Sequence, residues 1–311
     1  MEHSVNVIVG LDGLVDPAAV ITRVATGAIW SEGPVWIPER RSIRWSDIPG
    51  NRIFEYSMES RATTVYQGDV EFTNGRTLDH DGTVIQCSHG RRRVERDTDG
   101  VVTPIVTLWN GTRFNSPNDV VVASDRSIWF TDPDYGITVA REGHPGECEY
   151  EDHYVFRHDP ISGETTPVIV DMEEPNGLAF SPDEQMLYVS DTSGVSRDDG
   201  LGNHHIRVYD VSDGRCKNGR VFAVIEPGLS DGIRVDETGN VWTSSANGVQ
   251  VYNPEGTWLG LIPVPEVVAN LCFGGTDGTD LFITATTSLY HVPTLTRAAA
   301  RPTRPHAPHP A

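Results

Sequence analysis

A chain of 311 residues carrying 24 Lys plus Arg against 44 Asp plus Glu has a formal net charge of -20. Such a surface repels polyanions, which argues against nucleic acid or an anionic membrane as partner, and no apolar run reaches the length of a membrane span. The opening Met1-Glu2-His3-Ser4 lacks a basic region followed by an apolar core, and Cys87, Cys148, Cys216 and Cys272 form no C-x-x-C pair; neither a disulfide framework nor a zinc cluster is indicated, and a reducing, cytoplasmic setting is expected.

In chain order, the first feature is an apolar strand candidate over 5–9, within a segment 1–27 expected to complete the last unit of the fold. Six repeats of one plan follow. Each opens on a polar residue, usually before Gly: Glu32, Asn74, Asn118, Asn176, Asp231 and Asn270. Ten or eleven residues later comes a strand, predicted over 43–46, 84–87, 128–131, 187–190, 241–244 and 281–284. Turn signals such as Asp81-Gly82, Ser162-Gly163 and Thr238-Gly239 separate the strand-like runs, and helix signals are nearly absent. Two longer inserts, 133–152 and 192–204, are read as loops over one face. The tail over 294–311, rich in Pro, Ala, Arg and His, offers too little apolar surface to order itself and is expected to be disordered.

Repeats of roughly 40 to 60 residues built of short strands indicate an all-β, six-bladed β-propeller, here a single domain over 1–293. The first strand of each blade lines the central channel, so a polar residue at its start in every blade makes a ring at one mouth. Asn, Asp and Gly are also plain turn formers. That account fits Glu32 and Asn118 poorly, the first being a weak turn former and the second not followed by Gly.

The ring offers the carboxylates Glu32 and Asp231 with the amide oxygens of Asn118 and Asn176. Hard cations take such ligands, calcium first, with zinc, manganese or magnesium as alternatives. A divalent ion with open positions polarises a carbonyl and acidifies water, which points to hydrolysis with Asp231 or Glu32 as proton acceptor. No G-x-S-x-G elbow, H-E-x-x-H helix, G-x-G-x-x-G loop or phosphate-binding loop is present. Lys217, the only lysine, stands in a loop-like polar run and is discounted for Schiff-base chemistry.

The phrases Ser31-Glu32-Gly33-Pro34-Val35-Trp36, Asn115-Ser116-Pro117-Asn118-Asp119-Val120, Ile128-Trp129-Phe130-Thr131-Asp132-Pro133, Glu174-Pro175-Asn176-Gly177-Leu178 and Asp231-Gly232-Ile233-Arg234-Val235-Asp236 together resemble the SMP-30/gluconolactonase/luciferin-regenerating family, over about residues 28–292. The resemblance implies a propeller with one divalent metal near the top of the tunnel, held by residues matching Glu32, Asn118, Asn176 and Asp231. It also implies Asp231 as general base and a small-molecule lactone as substrate. Asn74, His89, Arg113, Asp132 and Tyr135 are further candidates for the substrate site, whereas Trp30, Trp36 and Trp45 read as blade core. The expected reaction is metal-dependent hydrolysis of a sugar lactone; a phosphotriester hydrolase using the same metal, or a non-catalytic ligand-binding propeller, are the rivals.

Overall fold

The computed structural model describes residues 8–150, 152–197 and 199–302. Five repeats each form one four-stranded antiparallel sheet, the sixth forms three strands of another that the N-terminal segment completes, and the six sheets are the blades of a β-propeller. Their innermost strands are Ser31–Ile37, Thr73–Leu78, Val120–Val122, Pro175–Phe180, Ile233–Val235 and Val268–Gly274. The six predicted strands are the second strands: Ser42–Asp47, Val84–Ser88, Ile128–Asp132, Met186–Asp191, Val241–Ser245 and Asp280–Ala285. The helices of the described residues are short, at Pro38–Arg40, Tyr135–Thr138 and Ser193–Ser196, and none is long and apolar enough to cross a membrane.

A blade is covered on both faces by its neighbours, so its middle strands read as continuous buried runs; every residue of Val241–Ser245 is buried. The apolar core is accordingly divided among the blade interfaces. Trp242, Val251, Leu271 and Ile283 pack between the fifth and sixth blades; Ile85, Phe114, Phe130 and Phe156 between the second and third; Ile43, Trp45, Phe282 and Leu289 join the last blade to the first. Cys87 and Cys272 are packed thiols in these layers, and all four cysteines are free.

The described parts of both chain ends pack onto the blades. The ring is closed by Thr22–Thr26, which pairs antiparallel with Ser288–Pro293 as the outer strand of the sixth blade. Of the strand expected over 5–9, residues 5–7 lie outside the described residues, and Val9 pairs with Leu261 at the edge of the fifth blade. An outer strand has one face toward solvent, and Thr22–Thr26 is half-buried to exposed throughout. The tail, expected to be disordered from 294, is ordered through 302: Asp236 bridges Ala298, the Ala299 amide donates to the Val235 carbonyl at 2.9 Å, and the Arg301 guanidinium donates to the Leu78 carbonyl. Backbone hydrogen bonds to inner-strand ends hold it without any large apolar side chain. Residues 303–311 lie outside the described residues.

The closing segment is anchored by Ile21, 2% exposed in the core shared by the last two blades. Ile21→Ala removes that anchor and is expected to cost about 2–5 kcal/mol, read as a lower urea midpoint with an unchanged slope.

Candidate active site

In every blade the strand ladder breaks at the polar residue. The first, second, fourth and sixth inner strands carry a register shift there, between Glu32 and Val35, Thr73 and Arg76, Pro175 and Leu178, and Val268 and Asn270. In the third and fifth, Asn118 and Asp231 precede the short strands Val120–Val122 and Ile233–Val235. A bulge re-aims a side chain, and these breaks turn the six toward the axis. The glycines that follow serve close approach: a Cβ at Gly75 would lie 2.6 Å from the Asn118 carbonyl oxygen, and one at Gly177 2.0 Å from that of Asp231. Each of those carbonyls accepts the glycine N–H, at 2.8 and 3.0 Å. The recurring Asn-Gly is thus an interlock between adjacent blades rather than a turn.

Five of the ring residues, Glu32, Asn74, Asn118, Asn176 and Asn270, are buried, while Asp231 keeps part of its surface open. Glu32 Oε2 accepts from the Gly33 amide at 2.5 Å and from Asn270 Nδ2 at 3.0 Å. Its other oxygen, Oε1, is buried without a hydrogen-bond partner, as is Asn74 Oδ1. Asn176 Nδ2 donates to Thr192 Oγ1 at 3.3 Å, and the Asp231 amide donates to Ser244 Oγ at 2.7 Å. Burial, then the negative charge of Asp119, pushes the Glu32 carboxyl up to about 7. Burial and then the negative charge of Glu32 raise Asp231 well above the usual carboxylate range. Two neighbouring carboxyls forced toward protonation, beside orphaned oxygens, form a donor set that a hard cation fits, because its charge reverses the cost of ionising both.

Above the ring lies a cavity of about 790 Å³. Glu32, Asn74, Asn118, Asn176 and Asp231 form its floor. Both long inserts supply walls, Tyr135, Val139 and Glu142 from one and Val195 and Ser196 from the other, facing Trp30, Ile48 and Leu229. Tyr135 is fixed by its hydroxyl, 2.6 Å from Thr192 Oγ1.

The SMP-30/Gluconolactonase/LRE-like region, as a family model, matches residues 30–287. The chain belongs to this family. It is 31% identical to the gluconolactonase of Zymomonas mobilis, over 92% of this chain and 84% of that one. It is 29% identical to the pentonolactonase XacC of Haloferax volcanii, over 85% and 84%. Among solved structures, a gluconolactonase from Xanthomonas campestris is 37% identical with a TM-score of 0.85, covering 92% of this chain and 93% of that chain.

Within this lactonase-family propeller, several residues expected at the substrate stand elsewhere. His89 is fully buried behind Asn74: its Nδ1 donates to the Glu142 carbonyl at 3.0 Å, leaving Nε2 to accept from Asn74 Nδ2 at 3.3 Å. It thereby turns Asn74 Oδ1 outward, so it is a positioning residue. Arg113 faces solvent, paired with Glu149 at 2.5 Å. Asp132 is buried behind the wall, accepting from the Asn115 amide at 2.8 Å and from the Tyr150 hydroxyl. Trp30 lines the cavity instead of the core. Asn270 faces inward, but its Oδ1 accepts from the Leu271 amide at 2.8 Å, so it orients Glu32 and offers no oxygen to the centre. Sequence reasoning passed over Asp119, a buried carboxylate 3.9 Å from Arg234 in the channel; its place beside Asn118 in the Pro117-Asn118-Asp119 phrase was the available signal.

Burial lowers the His89 imidazole from 6.5 to about 4. Above pH 6.5 both folded and unfolded states hold it neutral; as pH falls toward 4 the unfolded chain gains a proton that the folded one refuses. Stability on the order of 3 kcal/mol is therefore lost across that window. Urea unfolding at pH 7 and pH 4.5 should show a smaller drop for His89→Gln than for the native chain.

Proposed function

We propose that Glu32, Asn118, Asn176 and Asp231 hold one divalent cation, calcium first, and that the chain uses it to hydrolyse a sugar lactone to the hydroxy acid. The chain is a lactonase, a hydrolase acting on carboxylic ester bonds; the metal and the sugar are the steps added here. The observation that carries them is Glu32 Oε1, buried and unpartnered beside Asp231. Zinc, manganese or magnesium are the alternative ions, since an oxygen-rich donor set selects by geometry and availability as well as by ligand type.

When bound, such an ion polarises the lactone carbonyl, offsets the charge that develops on its oxygen and lowers the pKa of water. The residues do the rest. Asp231, the ring member left partly open to the cavity, accepts the proton of the attacking water and returns it to the ring oxygen as the C–O bond breaks. Its place is fixed by the hydrogen bond from its amide to Ser244 Oγ. Asn74, held by His89, presents Oδ1 as an acceptor for a sugar hydroxyl. Tyr135, whose hydroxyl is engaged by Thr192, contributes a ring face. Apolar walls at Trp30, Ile48 and Leu229 keep bulk water away, which strengthens each electrostatic contact on the floor.

The protein stripped with chelator should lose lactone hydrolysis and recover it with one added ion; equal activity in both states would remove the metal from the reaction. Asp231→Asn should lower kcat by about 10²–10⁴-fold with unchanged circular dichroism.

A second expectation follows from the raised carboxyls. Because burial pushes the Glu32 carboxyl up to about 7 and raises Asp231 well above the usual carboxylate range, binding must expel protons, and affinity must rise with pH through neutrality. Metal titration in weak buffer at pH 7 should acidify the solution, and Glu32→Gln should release fewer protons.

A further inference from the structure

We propose that Asp134, Cys148 and His153 form a second metal site, for a zinc-class transition ion, which staples the loop between the second and third strands of the third blade. One ligand atom from each of the three lies within 4.8 Å of the others. Zinc bonds of about 2.0 Å to nitrogen or oxygen and about 2.3 Å to sulfur place tetrahedral ligand atoms roughly 3.5 Å apart. The cluster is therefore close to a coordinating arrangement before any ion enters.

The imidazole is already set for it. His153 Nδ1 donates to the Glu173 backbone carbonyl at 2.5 Å, which fixes the tautomer and leaves the Nε2 lone pair free, 3.8 Å from Asp134 Oδ2. A metal-bound histidine characteristically donates its other nitrogen to a carbonyl or carboxylate in this way. A second observation points to a cation: the Glu174 side chain, 8% exposed, places Oε2 3.4 Å from His153 Nδ1, and that oxygen has no hydrogen-bond partner.

The ligand types differ from those of the ring. Thiolate and imidazole select zinc-class ions, whereas the all-oxygen ring suits a hard cation. A cysteine nucleophile activated by His153 fits less well, because in such a triad the carboxylate holds Nδ1 and the thiol takes Nε2. Here Nδ1 belongs to a backbone carbonyl and Asp134 approaches Nε2.

The staple would act on the pocket. Asp134 and His153 are the two feet of the loop and Cys148 lies near its end, so one ion ties all three together. Between them the loop carries Tyr135, Thr138, Val139, Arg141 and Glu142 into the cavity wall. It is already folded tightly on itself, a Cβ at Gly143 falling 2.0 Å from the Gly136 carbonyl oxygen.

Cobalt added to the metal-free full-length protein tests the site, since a thiolate ligand produces a sulfur-to-cobalt charge-transfer band that oxygen ligands do not. The expected result is a band saturating at one equivalent, displaced by zinc, abolished in Cys148→Ser and retained in Glu32→Gln. Trypsin cleavage at the exposed Arg141 should also slow with zinc in the native chain and not in Cys148→Ser. Absence of the band in the native protein, or its survival in Cys148→Ser, overturns the proposal. Cys148 is exposed, so its serine variant tests ligation without a core change; His153→Gln, also expected to lose the band, is the second variant.

Discussion

Three carboxylates, the buried Glu32 and Asp119 and the half-buried Asp231, meet at the axis of six inner strands, and the rest of the channel is arranged around keeping that negative charge in place. The convergence follows from the topology: every inner strand enters the ring in the same sense, so the residue at each ladder break arrives at the same point. Compensation from the protein is partial. Arg234 lies 3.9 Å from Asp119, and two N–H groups serve one oxygen of Glu32. Arg76, buried further down, is committed to the Gly33 carbonyl at 2.8 Å and Ser46 Oγ at 2.6 Å. What stays uncompensated is the Glu32–Asp231 pair, the one facing the cavity. In the function proposed above, a cation supplies the missing positive charge; without one, the pair keeps a proton.

Holding such a site requires a stiff frame, because every ladder break removes pairing where the inner strands crowd. The frame is supplied outward from the axis. Stacked rings such as Trp36 on Phe282, with centroids 5.7 Å apart, and the Phe114, Phe130 and Phe156 group lock neighbouring blades together. Nearer the axis, hydrogen bonds pass from blade to blade at Gly75, Gly177 and Gly232. Strain at the centre is offset by packing at the periphery, so the polar ring need contribute nothing to stability and is free to serve chemistry.

This division explains what the sequence disclosed. The blade count, the second strands and the ring positions were legible because they recur with the period of the fold, and a periodic signal survives the absence of local propensity. Asn270 shared the period, yet its oxygen went to the Leu271 amide, a choice set by its neighbour Glu32 across the closure of the ring, 238 residues away. His89 and Asp132 were visible as chemically able residues near strand ends, but which face of the wall they occupy depends on how the 133–152 insert folds. The tail failed for a related reason: composition measures apolar surface, whereas Ala298, Ala299 and Arg301 are held by backbone and carbonyl contacts that composition does not register. Trp30, an aromatic residue beside a strand and so expected in the core, borders the cavity into which both inserts project.

The floor and the walls of the cavity therefore come from separate parts of the chain. The floor is made of short phrases inside the repeats, fixed by bulges and close glycine contacts that tolerate little change. The walls are made of inserts that interrupt the repeats, tethered through hydrogen bonds such as Tyr135 to Thr192 and His89 to Glu142. The second of these tethers joins the two parts: one imidazole orients Asn74 on the floor and pins Glu142 on the wall. Any rearrangement of the 133–152 loop that pulls the Glu142 carbonyl away would release His89 and, through it, the Asn74 oxygen that faces the cavity. Changes in the wall can thus reach the floor through a single histidine, without altering the rest of the ring.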